Sequence, residues 1–314
     1  VMQPRPAADR VSVLYVGGMP RSGSTLTDLM LDQLPDHVGV GEIFYLWEDA
    51  LVRNAPCACG AAFNDCTFWQ DVGELAYGGW ESVDTAHIQR LQRTVDVTAA
   101  IPKLVRRRRS AEFESALREY TGILTDLYRA IVEVSGRQVV VDSSKRPSMA
   151  YVLRQARAVD LRVAHVVRDP RGVAYSFSKV VEVDRGTGVP NRMPRSRPLK
   201  TARRWLTVNL AIGALDRLGV PTARLRYEDL VTEPQRHLSR VLEIEDRSAA
   251  CDWAFLGDGK VDVPHTHAIA AGRVSRASGT VPLRRDDAWR ETMPPGDRRL
   301  VSALTAPLRS WYGY

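Results

Sequence analysis

The chain has 314 residues and a mass of 35.0 kDa, with 44% hydrophobic residues, 26% charged residues and a net charge of +7. That balance excludes a disordered tail, a collagenous repeat and a disulfide-dense miniprotein, and it allows a substantial core. No apolar run approaches the roughly 20 residues of a membrane helix, and the basic excess favours anionic ligands.

The first ten residues are polar and Pro-rich and do not read as a signal peptide, so a cytoplasmic enzyme is the expectation. Val11 to Val16 then reads as a buried strand. It runs into Gly17-Gly18-Met19-Pro20-Arg21-Ser22-Gly23-Ser24-Thr25. Leu26, Leu29, Met30 and Leu34 follow at helical spacing. Strand, Gly-rich turn and helix start form the context of a phosphate loop, in which backbone N–H groups at the helix N-terminus meet an anion. The lysine that nucleotide triphosphatases place before the hydroxyl is replaced by Ser24, and the positive charge stands at Arg21. A donor bound through arginine is therefore expected, with a degenerate kinase loop as the alternative.

Val38 to Phe44 reads as a short strand with an acid, Glu42, near its end. Phe44, Tyr45 and Trp47 beside it suggest an aromatic or apolar acceptor. Cys57-Ala58-Cys59 and Cys66 form a compact cluster. Three thiols point toward zinc, but the Cys-x-Cys spacing is shorter than that of common fingers and a fourth ligand is not evident, so packing or a disulfide is favoured and no metal is expected. Residues 80–135 read as mostly helical, with Phe113, Leu117, Tyr120, Leu124, Leu127, Tyr128 and Ile131 at spacings of three and four. Arg106 to Arg109 reads as a solvated face. With no nucleic-acid fold signature in the chain, no nucleic-acid partner is expected.

Val139 to Val141 is an apolar strand leading to Asp142 and Lys145, open to a Walker-B reading with magnesium on Asp142. Leu161 to Val167 is another buried strand. Arg168 lies at its carboxyl end and Ser176 follows eight residues later. With a helix starting near Pro170, both could reach one phosphate. Asp184 to Leu199, rich in Gly, Pro and Arg, reads as a long mobile loop, and Ala202 to Leu218 as a helix.

The Pro20-Arg21-Ser22-Gly23-Ser24-Thr25 loop and the Arg168/Ser176 pair, in this order and each after a strand, resemble the sulfotransferases that use 3′-phosphoadenosine 5′-phosphosulfate (PAPS). The resemblance implies a P-loop-like three-layer α/β/α fold with a mainly parallel sheet. It implies a single domain over 1–314, with a helical insertion near 70–135 and the loop at 184–199. Gly18, Pro20, Arg21, Ser22, Gly23, Ser24 and Thr25 would take the 5′-phosphosulfate, and Arg168 and Ser176 the 3′-phosphate. Lys145 matches a lysine that faces the transferring group in many members. Arg224 to Leu230 resembles the family's Tyr-Glu-Asp-Leu turn, from which Tyr227 would touch the nucleotide. Arg273 and Arg276 fit loosely a basic loop that closes on the 3′-phosphate. The ending, Trp311 to Tyr314, is similar to that of bacterial relatives.

Glu42 is the expected general base, because ligands bind at the carboxyl ends of strands in such sheets and some relatives use glutamate there. His265 and His267 are the reserve, and His165 is expected in the core. Arg21 and Lys145 carry the charge roles, and no metal is required. The expected acceptor is a hydroxyl of a small molecule, aromatic or glycosylated, in the manner of natural-product modification. A homodimer stays open, as does a non-enzymatic nucleotide-binding regulatory module.

Overall fold

In a computed structural model of the chain, the described residues are 10–179, 182–183, 191–192, 195–247, 251–263, 266–269 and 279–314. The first half contains β1 (Val11–Gly18), α1 (Ser24–Leu31) and β2 (His37–Gly41). Four helices follow: α2 (Thr67–Tyr77), α3 (Thr85–Val95), α4 (Ile101–Val105) and α5 (Ala111–Ser135). Next come β3 (Val139–Lys145), α6 (Pro147–Leu153), β4 (Val159–Val167) and α7 (Pro170–Ser178). A short antiparallel pair, β5 (Glu182–Val183) and β6 (Asn191–Arg192), precedes α8 (Pro198–Arg217) and β7 (Thr222–Arg226). The remainder holds α9 (Tyr227–Leu230), α10 (Pro234–Ile244), β8 (Leu256–Gly257), β9 (Lys260–Val263), β10 (Gly279–Pro282), α11 (Trp289–Thr292) and α12 (Pro295–Trp311).

Five strands form one sheet in the order β2-β3-β1-β4-β7, with every pairing parallel. Parallel strands are covered on both faces, which is why β1, β3 and β4 are nearly continuous apolar runs. The two-residue alternation of β1 divides the core. Val11, Val13 and Tyr15 enter one hydrophobic cluster with residues of α2, α3, α5, α6 and α8. Leu14 and Val16 enter another with residues of α1, α10 and β9. The layers are therefore helix, sheet, helix, the α/β architecture expected. Beside them, β8, β9 and β10 form a small antiparallel sheet.

The periodic face predicted near residue 120 is the buried face of α5. Ser110 caps this helix by accepting from the Phe113 N–H, and Gly136 ends it in the left-handed region at φ 65. α8 starts at Pro198, four residues before the predicted helix, because a proline at the first turn loses no helical hydrogen bond. Residues 184–190 and 193–194 of the predicted loop lie outside the described residues.

β1 lies centrally, and the order in which strands are added reverses beside it: β2 and β3 stand to one side, β4 and β7 to the other. Such a switch point leaves a crevice at the strand carboxyl ends. The loop at Gly18, Glu42, Lys145, Arg168 and Tyr227 all follow or close those ends.

Candidate active site

The turn after β1 is held by close backbone approach. Gly18 has φ +150, and a Cβ there would lie 2.3 Å from the Val166 carbonyl oxygen of the neighbouring strand. Gly23 has φ +89, and its Cβ would lie 2.4 Å from the Tyr227 ring. Both positions need glycine. Arg21, between them, also takes a left-handed φ of 74. Gly23 is the N-cap of α1 and supplies no side-chain cap, so the first N–H groups of that helix have no partner from the capping residue. Ser22 is fully buried, and its Oγ has no hydrogen-bond partner.

Arg168 joins this turn to the end of β4. Its Nη1 donates to the Arg21 carbonyl at 3.0 Å. Its Nη2 donates to the carbonyl and to Oδ2 of Asp286, both at 3.0 Å. Its guanidinium lies over the Tyr227 ring, 4.7 Å from the centroid. The Trp205 indole N–H donates to the Arg168 carbonyl at 3.0 Å. Arg21 Nε donates to Ser176 Oγ at 2.9 Å. The two expected anion motifs, 155 residues apart in the case of Arg21 and Ser176, thus share direct hydrogen bonds. Burial, and then the like charge of Arg168, lower the Arg21 pKa. Burial alone would raise the Asp286 carboxyl, but the hydrogen bond and charge of Arg168 outweigh it and hold the group below its ordinary value. Sequence reasoning missed Asp286, which lies in an irregular Arg-Arg-Asp-Asp run without periodic signal.

A second cluster forms at the ends of β2 and β3. Lys145 closes β3 with a left-handed φ of 65, and its Nζ donates to Glu42 Oε1 at 2.7 Å. Both side chains are largely buried, at 11% and 13% exposure. Gly41, just before Glu42, has φ +71, and a Cβ there would sit 2.3 Å from the Ile269 carbonyl oxygen. That carbonyl accepts from the Glu42 N–H at 3.0 Å, and the Ile269 N–H donates to the Val40 carbonyl at 2.8 Å. Residues 266–269 therefore act as a strap along the end of β2.

Asp142, the Walker-B-like acid, is fully buried. Its Oδ2 accepts from the Tyr128 hydroxyl at 2.6 Å, and its Oδ1 accepts from the Ser144 N–H and hydroxyl at 2.8 and 2.5 Å. Burial raises its pKa to about 6. Both oxygens are engaged within the fold. Ser144 Oγ in turn accepts from the Phe44 N–H at 3.0 Å.

A cleft of about 440 Å³ opens at Phe44 and Tyr45, in the segment that follows Glu42, and is lined also by Glu48, Asp49, Gln89 and Arg93 among others. Its charged wall comes from a π-helical stretch, Leu46–Val52, that the sequence does not announce. Such stretches are frequent at functional sites. Phe44 stacks under Arg146 at 3.9 Å. Trp47, expected beside the acceptor, is fully buried in the helical core instead.

Tyr227 packs against Gly23 and donates its hydroxyl to the Arg284 carbonyl at 2.9 Å. Glu228, next to it, accepts from the Asp169 N–H at 3.1 Å and from the Tyr314 hydroxyl at 2.5 Å. The C-terminal tyrosine and the Tyr-Glu-Asp-Leu turn thus brace the start of α7. His165 is in the core, bonded to Asn209 at 3.0 Å, and burial pushes its pKa down to about 4. His267 lies against the cysteines, with Nδ1 3.3 Å from Cys66 Sγ. Arg273, Arg276 and His265 lie outside the described residues.

The profile of the sulfotransferase family matches residues 14–247, most of the chain, and spans β1, the turn, Glu42, Lys145, Arg168 and Tyr227. The chain belongs to the sulfotransferase family. No curated protein sequence matches it. Solved structures similar to it include three sulfotransferases. The sulfotransferase domain of the Synechococcus PCC 7002 olefin synthase is 18% identical over 96% of this chain and 98% of its own, with a TM-score of 0.49. The sulfotransferase domain from the curacin biosynthetic pathway is 17% identical over 94% and 98%, with a TM-score of 0.46. Sulfotransferase STF9 from Mycobacterium avium is 13% identical over 98% and 78%, with a TM-score of 0.43. Likenesses this distant carry no inference about substrate. Family membership and the parallel α/β sheet support an enzyme of the sulfotransferase type.

Proposed function

We propose that this sulfotransferase takes its sulfuryl group from PAPS and passes it to a hydroxyl of a small molecule, leaving 3′-phosphoadenosine 5′-phosphate (PAP). The observation that carries the reading is the contact between two remote motifs, Arg21 to Ser176 and Arg168 to the Arg21 carbonyl. Two cationic side chains and an uncapped helix start gather at neighbouring strand ends, as a donor with two separate anionic groups requires. Gly18, Pro20, Ser22, Gly23, Ser24 and Thr25 would cradle the 5′-phosphosulfate. Arg168 and Ser176 would hold the 3′-phosphate, and Tyr227 would face the nucleotide. Arg273 and Arg276 are proposed to close over that phosphate.

In the reaction Glu42 accepts the acceptor's hydroxyl proton. The freed oxygen pair forms the new O–S bond. The S–O bond to the phosphate breaks, and its electron pair leaves on PAP. Lys145 and Arg21 neutralise the sulfuryl oxygens and the leaving oxygen, the electrostatic contribution that usually dominates such catalysis. Lys145 must exchange its present partner, Glu42, for those oxygens, which would free the carboxylate to act as a base. No residue in this scheme has to hold a metal ion. The kinase alternative would place magnesium on Asp142, and the internal hydrogen bonds of that carboxylate weigh against it.

The cleft at Phe44 and Tyr45 combines two aromatic rings with carboxylate, amide and guanidinium groups. That lining suits an acceptor with an apolar face and several hydroxyls, such as a glycosylated or aromatic natural product. No helix among the described residues is long and apolar enough to cross a membrane. A cytoplasmic location is proposed, and homodimerisation is left to measurement. The deciding experiment is a mass-spectrometric screen for a gain of SO3 on hydroxylated acceptors, with PAPS and EDTA. Sulfation in EDTA supports the reading. Tight PAP binding with no transfer to any acceptor would favour a regulatory module, and magnesium-dependent phosphorylation from ATP would favour a kinase.

A further inference from the structure

Cys57 and Cys59 flank a tight turn. Gly60 takes φ 95 and donates its N–H to the Cys57 carbonyl at 3.0 Å, while the Cys57 N–H donates to the Ala61 carbonyl at 2.9 Å. Cys66 is the residue before α2. His267 is 201 residues further along the chain, in the strap over β2. One ligand-type atom from each of these four residues lies within 4.8 Å of all the others. Cys66 Sγ is 3.7 Å from both Cys59 Sγ and Cys57 Sγ, and 3.3 Å from His267 Nδ1.

These separations have a simple geometric meaning. A regular tetrahedron with metal–sulfur bonds of about 2.3 Å has sulfur–sulfur edges of about 3.75 Å, and a nitrogen at about 2.05 Å gives a sulfur–nitrogen edge of about 3.5 Å. A disulfide needs sulfurs about 2.05 Å apart, whereas Cys57, Cys59 and Cys66 are free thiols. The imidazole is also held in place from outside the cluster. It stacks on Phe68 at 4.9 Å and 14°, and the backbone carbonyl of His267 accepts from the Trp69 indole N–H at 2.7 Å.

We propose that Cys57, Cys59, Cys66 and His267 bind one zinc ion as a closed structural site. Three thiolates and an imidazole form a soft donor set that suits zinc. Four protein ligands leave no open position, so the ion takes no part in group transfer. Its effect is mechanical. The Ala58 N–H donates to the Ala268 carbonyl at 3.0 Å, and Ile269 bridges both Cys57 and Gly41. The metal therefore fastens the strap to the start of α2, and the strap fixes the strand end that presents Glu42. This site stands whether or not the donor is PAPS.

The test is elemental analysis of the full chain, purified without chelator from zinc-supplemented cells. One zinc per chain is expected. Replacing it with Co2+ should give the intense visible absorption and thiolate-to-cobalt charge transfer of a tetrahedral site. Cys57→Ser combined with Cys66→Ser should lose the metal, and Cys251→Ser, outside the cluster, should keep it. If the double variant does not fold, the wild-type cobalt spectrum decides alone. Stripping the wild type with a strong chelator should lower its Tm, and Zn2+ should restore it. The proposal is overturned by a chain that carries no zinc and gives no cobalt charge transfer on Co2+ addition. A mass 2 Da low in the Cys57–Cys66 peptide, meaning a disulfide in the native protein, would overturn it equally.

Discussion

The two halves of the crevice are built in different ways. On the donor side, the turn after β1 and the start of α7 are each one short stretch of chain. Glycines at 18 and 23 set the backbone there, and Arg168 bridges the two. On the acceptor side, Glu42 depends on Lys145, on Gly41 and on a strap more than 200 residues away. The first arrangement encodes the proposed anion site in local sequence. The second encodes the placement of a single carboxylate through tertiary contacts, and that difference predicts how each half fails when altered.

The largest expected effect belongs to Glu42→Gln. Loss of a general base costs about 10²- to 10⁴-fold in turnover. PAP affinity, measured by calorimetry, should stay near that of the wild type. Undiminished turnover in this variant would remove Glu42 from the role of base. Arg168→Ala should show the reverse pattern. It removes a charged hydrogen-bonding group worth roughly 1.5–3 kcal/mol, so PAP should bind about 10- to 100-fold more weakly. Unaltered PAP affinity would break the assignment of the 3′-phosphate to Arg168. Together the two variants ask whether the halves are separable, and a similar loss of PAP affinity in both would merge them.

Much of the donor side is legible in the sequence because it obeys short-range rules: strand, glycine turn, helix start, then strand, arginine, proline, helix. Glu42 and Lys145 are legible as strand ends, but their 2.7 Å contact is not, since it depends on β2 and β3 being neighbours in the sheet. Asp286 and the fourth member of the cysteine cluster carry no local pattern at all. His267 is brought to Cys66 by the strap, and spacing within the Cys57–Cys66 segment could not reveal it. Trp47 misleads for the opposite reason: an aromatic residue beside a site signals a binding surface and a core equally well, and here it is core.

Gly41→Ala tests the strap. The added Cβ would stand 2.3 Å from the Ile269 carbonyl oxygen, at a φ that alanine adopts poorly. Backbone strain of this kind costs about 1–3 kcal/mol. Turnover and Tm should both fall, with PAP affinity changed less than in Arg168→Ala. A variant with wild-type turnover would mean that the strap does not position Glu42.

The smallest expected effect on turnover lies beneath the acceptor half. Asp96, at the end of α3, is fully buried, with Ser148 and Arg146 beside it. Burial raises its pKa from 3.8 to about 7. Between those values the folded chain holds a proton that the unfolded chain has released, so this group lowers stability as pH rises through that window. Asp142, raised to about 6, acts in the same direction, whereas His165, lowered to about 4, adds stability as pH rises toward 6.5. Asp96→Asn removes only the first of these contributions. Its Tm relative to the wild type should therefore climb from pH 4 to pH 7 and level off near pH 8. A Tm difference independent of pH would show that Asp96 titrates alike in the folded and unfolded chain, and that burial does not raise its pKa.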